Sequence, residues 1–63
     1  MTKKDIEALA HLMAKELEGE QNIDVRRGIL AVKYAFEEML HAGSFEKWSV
    51  FNRAWHAEMA KPA

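Results

Sequence analysis

Apolar residues recur every three or four positions along this chain, and no segment alternates with period two for long enough to form a strand. That pattern restricts the chain to an all-α fold. Three helices are expected, over about residues 3–18, 23–42 and 45–60, each with its own start and stop signals. Thr2 is the N-cap of the first, with Asp5 as a short capping-box acid and Met1 and Ile6 at the staple positions. Ile6, Leu9, Met13 and Leu17 form its apolar stripe, with Ala10 and Ala14 beside it, while Glu7, His11, Lys15 and Glu18 take the other face. Gly19 stops this helix.

Asn22 starts the second helix and places Asp24 in its first turn, against the helix dipole. Val25, Ile29, Val32, Phe36 and Met39 form a heptad-type seam, the expected core face of this helix. It ends at Ala42, with Gly43 available for the left-handed conformation that often closes a helix. Ser44 caps the third helix at once. There Trp48, Phe51, Trp55 and Met59 share a stripe, with Phe45 at its edge, and Pro62 ends regular structure. Residues 1–63 thus read as a single domain: a three-helix bundle, or a helical hairpin plus an N-terminal helix. A chain this short buries only about 60% of its unfolded surface. It has no cysteine for a disulfide or a thiolate metal site, so homodimerisation is the expected means of completing the fold.

Helix 2 also carries small residues. Gly28, Ala31, Ala35 and Ala42 project within about 60° of one another at a helix's about 100° per residue. The rings of Trp48, Phe51 and Trp55 are complementary knobs for such a groove. They meet it either inside one chain, as core, or between chains, as a self-association seam. A second apolar line, Ile23, Leu30 and Tyr34, runs along the back of helix 2, flanked by Arg26, Arg27 and Lys33. An aromatic centre with a charged rim is the make-up of a protein-docking strip.

Chemistry-bearing constellations are sparse. Glu38 and His41 have the Glu-x-x-His spacing of di-metal carboxylate helices, but the chain holds one copy of a motif that needs two and two further glutamates. Glu7 precedes His11 by four residues and Asn52 precedes His56 by four, spacings suited to hydrogen-bonded pairs. No nucleophile–base arrangement and no glycine-rich phosphate loop is present, so no catalytic activity and no cofactor are expected. The net charge is −1, spread evenly, whereas nucleic-acid-binding modules of this size carry a positive excess. Helix 2 and helix 3 could still form a helix-turn-helix, with Lys47, Asn52 and Arg53 on the outer face of the reading helix.

The longest fully apolar run, Ile29 to Val32, is too short to span a membrane, and the N-terminus lacks a signal-peptide core, so the expected location is cytoplasmic. Met1 opens the chain without a tag, as in a complete small open reading frame of the phage or mobile-element kind. The expected function is protein binding by surface occupation, as a subunit, adaptor or inhibitor that also self-associates. A nucleic-acid-binding regulator is the alternative, and a metal-binding helical oligomer the third.

Overall fold

The computed structural model describes residues 1–62 and holds three helices, α1 (Lys3–Gly19), α2 (Ile23–Gly43) and α3 (Phe45–Met59), packed as a small all-α bundle. The start of α1 is a full capping box. The Asp5 N–H donates to Thr2 Oγ1 at 3.1 Å, and the Thr2 N–H donates to Asp5 Oδ2 at 3.3 Å. Asn22 caps α2 by accepting from the N–H groups of Asp24 (2.9 Å) and Val25 (3.2 Å). Each cap satisfies backbone donors that a helix start leaves without a partner.

The two joints are built differently from the glycine-based expectation. No described residue has a positive φ, so neither Gly19 nor Gly43 is a left-handed cap. Gly43 is instead the last helical residue, and Ser44 alone separates α2 from α3. Its backbone is extended (φ −162°, ψ 112°), its N–H donates to the Leu40 carbonyl at 2.7 Å, and its Oγ accepts from the Lys47 N–H at 3.3 Å. One serine therefore closes one helix and opens the next. At the other joint, Arg26 reaches back from α2. Its Nη1 donates to the carbonyl of Leu17 (2.6 Å), which also accepts from the Glu20 N–H (3.3 Å), and to the carbonyl of Glu20 (2.9 Å), just past the end of α1.

The core consists of Ile6, Ala10, Ala14 and Leu17 from α1, Leu40 from α2, and Phe51, Ala54 and Trp55 from α3. α3 packs mainly on α1, and α1 and α2 touch least. Three of the expectations change here. The small residues that are fully buried are Ala10 and Ala14 of α1, not those of α2, and the rings of α3 meet α2 through Phe36, Lys33 and His41. Gly28, Ala31, Ala35 and Ala42 are exposed, and a Cβ at Gly28 would meet nothing within 4 Å. The α2 seam is also turned away from the core: Ile29 and Phe36 are half-buried, but Val25, Val32 and Met39 are 47%, 62% and 61% exposed. In α3, Ala54 and Glu58 are buried while Met59, expected in the stripe, is 40% exposed.

The centre of α2's buried face is instead a charged residue. Lys33 is 7% exposed. Its ammonium lies 4.7 Å from the centroid of the Trp55 ring and 4.6 Å from that of Tyr34, and it pairs with Glu37 Oε1 at 2.6 Å. The lysine stem covers the apolar surface while its head is held by two rings and a carboxylate. Glu37 Oε1 is buried with no partner of hydrogen-bond geometry, so the ion pair is its compensation.

Candidate interaction surface

Of the residues expected to form a docking strip, only part is presented to solvent. Ile23 (59% exposed) and Tyr34 (60%) stand out from the bundle, with Arg27 beside them. Leu30 is half-buried against the core, Arg26 is tied to the end of α1, and Lys33 is inside. The strip is thus broken along its length by residues with structural work of their own. The same two engagements bear on the nucleic-acid reading, which needs Arg26, Arg27, Lys33 and Arg53 on one face: Arg26 and Lys33 are committed within the fold.

The rings divide as well. Phe51 is fully buried and meets Phe36 edge-on at 5.4 Å and Trp55 in a stack at 6.3 Å. Trp48 is half-buried at the α2–α3 corner, where His41 packs edge-on against it (5.3 Å) and against the exposed Phe45 (5.8 Å). Phe51 and Trp55 are therefore intrachain core. With His41 used in this packing, Glu38 is left exposed, and among the described residues no three His, Asp or Glu groups gather as a metal would require. His11 pairs with Glu58 rather than Glu7. Its Nδ1 donates to Glu58 Oε1 at 2.9 Å, an oxygen that also accepts from Lys61 Nζ at 3.2 Å. The His11 hydrogen bond, with help from Lys61, holds the Glu58 carboxyl below its ordinary value against the desolvating effect of burial.

The surface that stands out is on the other side of α2. Val25, Gly28, Val32, Ala35, Met39 and Ala42 follow spacings of 3 and 4 and fall within about 100° of arc on the helix. All six are exposed. Within that arc the one charged side chain is Asp24, in the first turn. Towards α1 the strip continues into an open groove of about 510 Å³ lined by Leu12, Met13, Glu16, Val25, Gly28, Ile29 and Val32, with Leu12 57% exposed at its rim. Sequence reading assigned the larger of these residues to the core and the small ones to a groove for rings, so the strip was divided between two roles. The signal that would have joined them is the second heptad line, 25-28-32-35-39-42, which shares three positions with the expected seam.

No helix among the described residues is long and apolar enough to cross a membrane. Comparison with protein families, with curated proteins and with solved structures finds no match to this chain.

Proposed function

We propose that this chain is a protein–protein interaction module that works by occupying a surface, and that its docking face is the exposed strip of α2 with the adjoining rim of α1. One observation carries the reading: the bundle buries an ion pair, Lys33–Glu37, while leaving Val25, Val32 and Met39 in water on the same helix. Covering apolar surface is favourable by about 25 cal/mol per Å², and the single chain already uses the other side of α2 against its core, so the gain left on this face is one that a partner supplies. A contiguous apolar face left in water is the mark of an interaction site. The experiment is capture of partners on the immobilised full chain, comparing the parent with Val32→Glu and with Tyr34→Asp. Loss of the captured protein with Val32→Glu, and retention with Tyr34→Asp, is expected. Equal capture by the parent and Val32→Glu would overturn the assignment. Circular dichroism of both variants guards against loss of fold.

A further inference from the structure

We infer that the occupant of the α2 strip is a second copy of this chain, docked with its own α2 antiparallel to the first. The inference rests on the reading that this strip is a binding face, and it adds the identity and orientation of the occupant. It stands on three features. The first is self-complementarity. Large and small residues alternate along the strip: Val25, Gly28, Val32, Ala35, Met39, Ala42. Laying a copy antiparallel, with the two-fold axis between positions 33 and 34, sets each large side chain against a small one. Val25 meets the partner's Ala42, Met39 meets the partner's Gly28, and Val32 meets the partner's Ala35. A parallel copy would set Val on Val and Gly on Gly, crowding alternate layers and leaving voids between them.

The second feature is charge. Arg27 and Glu38 border the strip on the same side and are both exposed. The antiparallel register brings Arg27 within a turn of the partner's Glu38, and symmetry makes the pair twice. In a parallel pair the two residues lie on the edge of the seam opposite to their counterparts, so Arg27 and the partner's Glu38 do not meet. Antiparallel packing also opposes the two helix dipoles, placing Asp24 and the N-terminus of one α2 beside the C-terminus of the other.

The third is area. A helix of 21 residues is about 32 Å long and about 10 Å wide, and the exposed Leu12 rim of α1 widens the contact along one side. That is a footprint of roughly 320 Å² before the rim is added, below the ~800 Å² per partner of a standard stable dimer, so a weak dimer that forms as concentration rises is expected. The chain's own core gives it reason to use this surface. Of the eight buried apolar residues among the described ones three are alanine, so a single copy has little burial to hold it folded.

The absence of cysteine from the sequence makes a clean test possible. Val25→Cys and Ala42→Cys are made as separate full-length proteins and mixed under mild oxidation. The antiparallel dimer predicts a disulfide between the two variants and little of either with itself, because like positions lie about 26 Å apart along the axis while a disulfide needs Cα atoms within about 7 Å. Homodisulfides of each variant, or a statistical mixture of all products, would overturn the proposal. Val32→Glu is expected to weaken self-association at least about tenfold with its helicity unchanged. If the purified parent is a monomer while Val32→Glu still loses a captured protein, self-pairing fails and the binding-face reading stands. If the parent is a monomer and capture does not depend on Val32, both fail.

Discussion

At the scale of single residues, Lys33 and Glu58 are the two charges the bundle takes inside, and each is compensated in its own way. Lys33 is held by Glu37 and two rings, so removing it alone strands the buried Oε1 of the partly buried Glu37. Lys33→Ala is expected to destabilise the protein by about 3 kcal/mol in urea unfolding, whereas Lys33→Met with Glu37→Leu should be neutral or stabilising. A double variant as unstable as the single one would show that the pair contributes a net attraction. Glu58 gives a pH dependence. Its carboxyl lies below its ordinary value in the folded protein because of His11 and then Lys61, and Glu46 is lowered likewise by Lys3. A group whose folded-state value is lowered contributes its stability above the ordinary carboxylate range and loses it as pH falls through the lowered value. The parent should therefore lose stability between about pH 5 and pH 3, and Glu58→Gln should lose less over the same interval. Parallel curves for the two proteins would remove Glu58 from the account.

At the scale of helices, the contrast between α1 and α2 is testable with small residues. Ala10 and Ala14 are fully buried in the core, where α1 packs on α3, so Ala14→Leu should cost about 1–3 kcal/mol by overpacking. Gly28 has open space around its Cα, so Gly28→Ala should stabilise α2 by up to about 1 kcal/mol in the monomer. Helix existence and helix starts were legible in the sequence, because Thr2, Asn22 and Ser44 are capping residues placed just before periodic runs, whereas the glycines expected to close α1 and α2 are helical. The rotation of α2 was not. Its buried face is centred on Lys33, Glu37 and Leu40, and a lysine four residues before a glutamate reads as a solvated pair. The Trp55 ring beneath Lys33 and the Phe51 ring against Phe36 help make that face the inner one, and contacts between positions 22 and 15 residues apart leave no mark on local periodicity. Glu58 was missed for the same reason, since its partner His11 stands 47 residues away. The docking strip was legible in composition but was split between a core seam and a groove for rings, because helix 2 has apolar residues on more than one face.

At the scale of the whole molecule, the three helices leave one side of α2 and the rim of α1 uncovered, and the α2 strip carries a pattern that fits itself in reverse. Pairing through that strip would bury what the single chain leaves exposed and link its folding to its concentration. Thermal unfolding of the parent should then shift upward with protein concentration, and that of Val32→Glu should not. The direct measurement is the solution mass of the full chain by sedimentation equilibrium over about 1–100 μM, for the parent and for Val32→Glu. Pairing through the α2 strip predicts a parent that approaches twice the 7.2 kDa of one chain as concentration rises, and a Val32→Glu variant that stays at 7.2 kDa while keeping its helices. A parent at 7.2 kDa throughout, or a variant that associates as readily as the parent, would contradict it.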